Sequence, residues 1–433
     1  MMPATLVLGL GLTGLSCVRF LHRQGEAVAV WDTRSVPPGV DQLADEFPGV
    51  ALYTGPFDEQ QLCQAKRLVV SPGIPLAMPA LVRAAQAGVE ILGDIELFAR
   101  HADAPVVAIT GSNGKSTVTR WVGEMASAAG WSVGVGGNIG TPALDLLGQG
   151  HRLYVLELSS FQLETTHSLD CVAATVLNVS DDHLDRYDSY QHYRDTKLRL
   201  YEQARLCVTN RADPDTQAPE GAAQLSFGLS APEGEEDYGI LDAWLCQGAI
   251  PLFPCSELGL VGEHNQANAL AAMALARAAG IPMAGIEQAL RGYRGLPHRC
   301  ELVAVRHGVT YINDSKATNV GATLAALEGL LGGPGRLILI AGGDAKGADL
   351  GALAPALARV HKLYTLGQDG EALASLKPGA VRVDSLTEAV SLASAEAKAG
   401  DRVLLSPACA SLDMFNNFEH RGACFVAALE ALS

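Results

Sequence analysis

Ala108-Ile109-Thr110-Gly111-Ser112-Asn113-Gly114-Lys115-Ser116-Thr117 decides how this chain is read. The apolar run Pro105–Thr110 predicts a strand, and the residues after Ser116 follow a helical pattern. Between them lies a glycine-bearing turn. That order suits phosphate: glycines let backbone N–H groups face an anion, and the helix N-terminus adds a favourable dipole. Lys115 neutralises charge, and Ser116 can hold magnesium. The common form of such a loop has a glycine five residues before its Gly-Lys pair, where this chain has Ile109. The stretch from Gly111 through Ser116 to Thr117 is therefore a shortened variant, with ATP as its expected ligand. A plain Gly-Ser turn beside a surface lysine would share the residue types but not the strand–loop–helix setting.

Outward from this loop, short apolar runs alternate with Ala- and Leu-rich helical patterns over most of the 433 residues. That alternation predicts an α/β protein with mainly parallel sheets. The length calls for two or three domains. A first block opens with the strand Thr5–Leu8 and runs to a strand near Glu90–Leu92. A second opens at Pro105. A third opens after Gly295-Leu296-Pro297, with strands at Val309–Ile312, Arg336–Ile340, Lys362–Leu366 and Arg402–Leu405. The expected domains are 1–93, 94–295 and 296–433. The stretch Ala212–Pro254, rich in Gly, Pro and acidic residues, is expected to form loops and short antiparallel strands at the edge of the second block.

Composition narrows the function. A net charge of −16 argues against nucleic-acid binding and against a basic membrane-binding surface. No apolar run approaches the roughly 18 residues of a membrane span, and the N-terminus does not read as a secretory signal. Nine irregularly spaced cysteines without a CxxC pair argue against a disulfide framework or a zinc site. A reduced, cytoplasmic setting is expected.

Gly9-Leu10-Gly11-Leu12-Thr13-Gly14 follows the first strand, and Asp32 ends the next. On spacing alone this is a dinucleotide turn with Asp32 on a ribose hydroxyl. The same turn suits any pyrophosphate or a purely structural role, and Arg34 adds a cation a simple NAD site does not need. Ser71-Pro72-Gly73 ends another strand, where open α/β sheets bind ligands. Glu157 sits at the end of the apolar run Leu153–Leu156. Asn178-Val179-Ser180-Asp181-Asp182-His183-Leu184-Asp185 follows the run Ala173–Leu177; its oxygen and imidazole groups suit magnesium with phosphate, or cap the next helix. Lys197 lies in a helical segment and reads, by itself, as solvated. Asn265 and Asn268, near the start of an Ala-rich helix, can hold an adenine edge or serve as ordinary helix-start residues.

These motifs, with Gly136-Gly137-Asn138-Ile139-Gly140 and Glu157-Leu158-Ser159-Ser160 between them, resemble the Mur ligase family in order and type. Leu296-Pro297-His298-Arg299, Asn313-Asp314-Ser315-Lys316-Ala317-Thr318-Asn319, Gly342-Gly343-Asp344-Ala345-Lys346 and Ser406-Pro407-Ala408-Cys409-Ala410-Ser411-Leu412-Asp413 are similar to its branch that adds D-glutamate to UDP-N-acetylmuramoyl-L-alanine. The resemblance spans nearly the whole chain. It implies a Rossmann-like first domain, a central P-loop-type ATPase domain and a Rossmann-like third domain. Leu12, Thr13, Asp32, Thr33, Arg34, Ser71 and Gly73 then become contacts for the UDP substrate, together with Asn138, Ser159 and His183. Gly111, Ser112, Asn113, Gly114, Lys115, Ser116, Thr117, Asn265, Asn268, Arg299, Asp314 and Lys316 become the ATP site. Thr318, Lys346, Ser411 and Phe418 match the D-glutamate pocket, with Phe418 acting through its backbone N–H or by packing. The resemblance also implies two magnesium sites, which manganese can fill. Ser116 and Glu157 hold one; His183 and a CO2-derived carbamate on Lys197 hold the other. Lys115, His183 and Lys197 become the catalytic residues of a cytoplasmic monomer.

Overall fold

Runs that are apolar from end to end, rather than alternating, become strands buried on both faces, as parallel strands covered by helices must be. Thr5–Leu8, Val106–Thr110 and Leu337–Gly342 are buried throughout. In this computed structural model, which describes residues 4–432 apart from 184–185, 261, 294, 296 and 333–334, such runs build three sheets. Leu184, Asp185 and Leu296 of the motifs above thus lie outside the described residues.

The first sheet has the strand order Ala51–Thr54, Val28–Asp32, Thr5–Leu8, Arg67–Val70, Glu90–Leu92, parallel throughout. From Thr5–Leu8 the chain winds outward in one direction and then returns to the other side. That reversal leaves a crevice at the C-terminal ends of the strands, where open sheets bind ligands. The first helix, Leu12–Arg23, follows the glycine turn directly.

In the second sheet Val106–Thr110 lies between Cys171–Val176 and Leu153–Glu157, parallel to both. Val133–Gly137 flanks Leu153–Glu157 on the other side. The Ala212–Pro254 expectation needs correcting in part. Gln224–Phe227 and Tyr238–Leu241 continue the sheet in parallel beyond Cys207–Asn210. Only Trp244–Gln247 and Ile250–Pro254 are antiparallel. Positive φ at Asp242 and Ala243 makes the tight hairpin turn that the first of these needs.

The third sheet runs Glu301–Arg306, Val309–Asn313, Arg402–Leu405, Leu337–Gly342, Lys362–Leu366, Val381–Arg382. Only the first pair is antiparallel. Loops 314–319, 343–346 and 406–413 therefore leave the C-terminal ends of three adjacent strands.

By packing the chain divides into two compact units. One comprises Met1–Asn178, Arg194–Glu257 and Asn268–Arg291; the other comprises Val179–Tyr193, Leu258–Ala267 and Gly292–Ser433. In the first unit a single core joins two sheets, with Val7, Val30 and Val69 packed into the same cluster as Val106, Leu156 and Leu163. In the second unit, separate apolar layers cover the two faces of the third sheet.

Candidate functional site

In the first unit the phosphate loop has the shape its glycines permit. Gly111 and Gly114 hold φ of +145° and +82°, and a Cβ built on Gly114 would lie 2.7 Å from Asn268 Oδ1. Asn268 therefore packs against the loop itself. Asn178, which the sequence shows only as the first residue of a polar stretch, pins the loop from the neighbouring strand end. Its carbonyl accepts from Ser112 N at 2.9 Å, its Oδ1 from Asn113 N at 2.8 Å, and its Nδ2 donates to Asn113 O at 3.1 Å. Lys115 Nζ donates to the carbonyls of Gly111 and Ser112, both at 2.9 Å. Lys197 Nζ reaches the Gly111 carbonyl at 3.0 Å. Lys197 is only 2% exposed, so the sequence reading of a solvated lysine fails. Ser116 and Thr117, both buried, begin the helix Lys115–Ala128.

Glu157 is the last residue of its strand and is 2% exposed. Its Oε1 accepts from Asn138 Nδ2 at 2.7 Å, while Oε2 is buried with no hydrogen-bond partner among the described residues. A buried carboxylate oxygen left bare is costly. With the Ser116 hydroxyl it supplies the hard oxygen donors that magnesium takes, so this end of the sheet fits a divalent ion. Among the described residues no group of three or more His, Cys, Asp or Glu is arranged to hold a metal. Ser159 instead caps the helix Ser160–Leu163 in a reciprocal bond pair with Gln162. Gln162 Nε2 donates to Asp94 Oδ2 at 3.0 Å; burial pushes the Asp94 carboxyl up to about 6.

At the crevice of the first sheet, a Cβ on Gly14 would sit 1.9 Å from Gly9 O, so the turn requires glycine. Ser71 Oγ donates to that same carbonyl at 3.3 Å. Both oxygens of Asp32 are already engaged. Oδ2 accepts from Leu10 N at 2.7 Å and Arg34 Nη2 at 2.6 Å; Oδ1 accepts from Arg34 N at 2.9 Å and Nε at 2.8 Å. The Arg34 guanidinium holds the Asp32 carboxyl down at about 2. Arg34 is thus the partner of Asp32, which the sequence reading had as two separate contacts. Leu12 stands 74% exposed above the crevice, with Thr33 and Gly73 also exposed.

In the second unit the loops 314–319 and 406–413 and the end of the strand Leu337–Gly342 converge on Arg421, a residue of the helix Phe418–Glu430 that gave no sequence signal. It is 2% exposed. Its Nε donates to Ser315 Oγ at 3.0 Å and its Nη2 to Ser315 O at 2.8 Å; Nη1 reaches Cys409 O at 3.1 Å, Ala410 O at 3.2 Å and Gly342 O at 3.4 Å. Burial lowers the guanidinium to about 10, still charged at neutral pH. Asp314 accepts from Ser406 Oγ at 2.7 Å and Cys300 N at 3.1 Å, and burial raises its carboxyl to about 6. The positive charge of Arg299 partly opposes that rise. Lys316 Nζ lies 3.8 Å above the Phe418 ring. Lys346, at φ +52°, places Nζ 3.7 Å from Asp182 Oδ1, and Asn319 Nδ2 donates to Asp182 Oδ2 at 3.4 Å. Asp182 also accepts from the backbone of His183, itself at φ +56°. Thr318 N donates to Lys316 O at 2.8 Å, and the buried Ser411 turns the chain by accepting from Met414 and Phe415 N–H groups. Asn265 lies in the first turn of the helix Glu263–Ala278.

Three successive stretches match known domain families: "Mur ligase MurD-like, N-terminal domain" over 3–93, "Mur ligase middle domain" over 109–276 and "Mur ligase, glutamate ligase domain" over 298–409. The chain belongs to the Mur ligase family. Among its relatives, the UDP-N-acetylmuramoylalanine--D-glutamate ligase of Shewanella oneidensis is 54% identical over 430 residues, covering 99% of this chain and 98% of the relative. That of Yersinia pseudotuberculosis is 53% identical over 431 residues, covering 98% of each. Solved structures share the three-domain α/β fold. UDP-N-acetylmuramate-alanine ligase MurC from Thermotoga maritima superposes with a TM-score of 0.64 at 19% identity, over 99% of both chains. MurF from Acinetobacter baumannii gives 0.62 at 16%, over 98% of this chain and 90% of its own. Among the described residues no helix is long and apolar enough to cross a membrane.

Proposed function

We propose that this chain is an ATP-dependent ligase that joins D-glutamate to UDP-N-acetylmuramoyl-L-alanine in cytoplasmic peptidoglycan precursor synthesis, acting as a monomer. The observation that carries the reading is its near-full-length identity of 54% with a ligase of that name. The domains are taken as 1–93 for the UDP substrate, 94–295 for ATP and 296–433 for the amino acid.

In the first step the alanyl carboxylate oxygen attacks the γ-phosphorus of ATP, the bond to the β-phosphate oxygen breaks, and ADP leaves an acyl phosphate. In the second the D-glutamate amine attacks the acyl carbon, phosphate departs, and the nitrogen loses a proton. Two anions meet in the first step, so catalysis rests on positioning and charge stabilisation. Loop N–H groups and Lys115 cradle the phosphates, while Asn178 and Asn268 hold the loop in shape. Ser116 and Glu157 would hold one magnesium, and His183 with Lys197 the second; bound metal, magnesium or manganese, would offset the phosphate charge. Lys197 fits conversion to a carbamate: its side chain is buried beside the phosphate loop, where a carbamate would supply anionic oxygen for a metal. Unchanged activity on removing CO2 and bicarbonate, or in Lys197→Ala, would count against that modification. Asp314 and Arg299 serve the nucleotide, with Asn265 and Lys316. Lys346 with the hydroxyls of Thr318 and Ser411 takes the carboxylates of D-glutamate, beside Phe418. Leu12, Thr13, Thr33, Arg34, Ser71 and Gly73 line the UDP end, with Asp32 acting through Arg34. Asn138, Ser159 and His183 face the muramoyl-alanine end.

The test is phosphate release from ATP and magnesium with UDP-N-acetylmuramoyl-L-alanine, comparing D-glutamate, L-glutamate and no amino acid. Release only with D-glutamate, with a product heavier by one glutamyl residue, is expected. No release with any amino acid would leave the nucleotide site standing and remove the assigned substrate.

A further inference from the structure

Lys316 Nζ lies 3.8 Å from the centroid of the Phe418 ring, within range of a cation–π contact. The ring is held from several sides. Phe418 is the first residue of the helix Phe418–Glu430, whose cap is Asn417, with His420 N donating to Asn417 Oδ1. The Phe418 carbonyl accepts from Ser315 Oγ at 2.8 Å, and Arg421 Nε donates to that same hydroxyl at 3.0 Å. The His298 ring stands edge-on to Phe418 at 6.2 Å. His298 is itself fixed by the helix: a Cβ on Gly422 would lie 2.2 Å from its Nδ1. The residue that carries the cation is thus tied, through its neighbour Ser315, to the residue that carries the ring.

We infer that the face of the Phe418 ring is the seat that holds the Lys316 ammonium in place for an anionic group of the substrates, a carboxylate or a phosphate. A lysine ammonium is a compact charge on a flexible four-carbon stem. An aromatic face restrains it through the ring quadrupole and leaves the charge intact. Phe418 is then a positioning residue acting through Lys316, a role for the ring beyond backbone donation or packing. The inference rests on the proposed placement of this loop cluster at the substrates.

The test replaces Phe418 in the full chain with phenylalanines bearing one, two and three fluorines, which drain the ring face of electron density while keeping its shape. KM for D-glutamate or for ATP should rise stepwise, reaching roughly three- to tenfold at three fluorines, with kcat held. In a Lys316→Met background the same series should have no further effect. Two results would overturn the inference. A flat KM across the series, with Lys316→Met raising KM, removes the ring's role and leaves the site assignment intact. A Lys316→Met variant with kcat and both KM values unchanged removes Lys316 from the site, and this inference with it.

Discussion

Replacing Arg421 by methionine keeps the length of the side chain and removes the donors that join loops 314–319 and 406–413 to each other and to the end of the strand Leu337–Gly342. The carbonyls of Ser315 and Cys409, at 2.8 and 3.1 Å, lose a charged partner; Ala410 O keeps a bond from Asp344 N at 3.1 Å. At about 1 to 3 kcal/mol for each orphaned buried acceptor, the gross loss is roughly 2 to 6 kcal/mol. Removing a buried cation offsets part of that, because a guanidinium 2% exposed pays several kcal/mol in lost hydration. The net expectation is about 2 kcal/mol, a factor of roughly 30 in the local opening equilibrium. Hydrogen exchange reads this directly. The probes are the amides of Asp344 and Ala410, each bonded to the other's carbonyl across two loops, and those of Asp314 and Lys316, which tie the first loop to Leu405 and His298. They should exchange about 30-fold faster in Arg421→Met, while amides of Val106–Thr110 in the other unit keep their rates. Arg421→Lys should fall between, since one ammonium cannot span acceptors on two loops and a strand end. Loop amides within a factor of three of wild type would refute the reasoning and mark Arg421 as a passive core residue.

Gly114→Ala forces a Cβ onto a residue at φ +82° and against Asn268 Oδ1; ADP affinity by calorimetry should fall about five- to thirtyfold, from the roughly 1–2 kcal/mol left-handed penalty alone, and unchanged affinity would separate this loop from the nucleotide. Burial holds the Asp314 carboxyl near 6, so the folded state binds that proton more tightly than the unfolded chain does. Stability from this group is therefore greatest below about pH 4 and falls as pH rises to about 6, by at most roughly 3 kcal/mol; Asp314→Asn should flatten that part of the denaturation profile, and an identical slope would contradict the assignment. Asn138→Ala removes the one donor to Glu157 Oε1, and Mn2+ affinity, followed by electron paramagnetic resonance, should weaken roughly tenfold as when other outer-shell partners are lost; undiminished affinity would place the ion elsewhere.

Local signals carried furthest where they were densest. The phosphate loop, the glycine turn of the first sheet and Glu157 at a strand end were all legible, because a strand followed by a tight turn constrains residue type at each position. Gly14 is an instance: backbone stands 1.9 Å from where a side chain would begin, so only glycine fits. Asn178 was visible as part of a polar stretch, but not as the brace of the loop. Its partner Asn113 lies 65 residues away, and only the pairing of Val106–Thr110 with Cys171–Val176 makes them neighbours.

By itself the sequence determined the α/β class, the main parallel strands and the chemistry of the phosphate loop, since each depends on periodicity or on residues adjacent in the chain. Tertiary structure alone decided that Lys197 is buried against Gly111, that Arg34 closes on Asp32, that Lys316 rests on Phe418 and that Arg421 gathers two loops and a strand end. It also decided that Gln224–Phe227 and Tyr238–Leu241 extend the second sheet in parallel. A lysine or arginine on a helix has the same local pattern whether its charge meets water or a ring of carbonyls. What distinguishes the two is desolvation, and that is set by segments distant in sequence which the fold brings together.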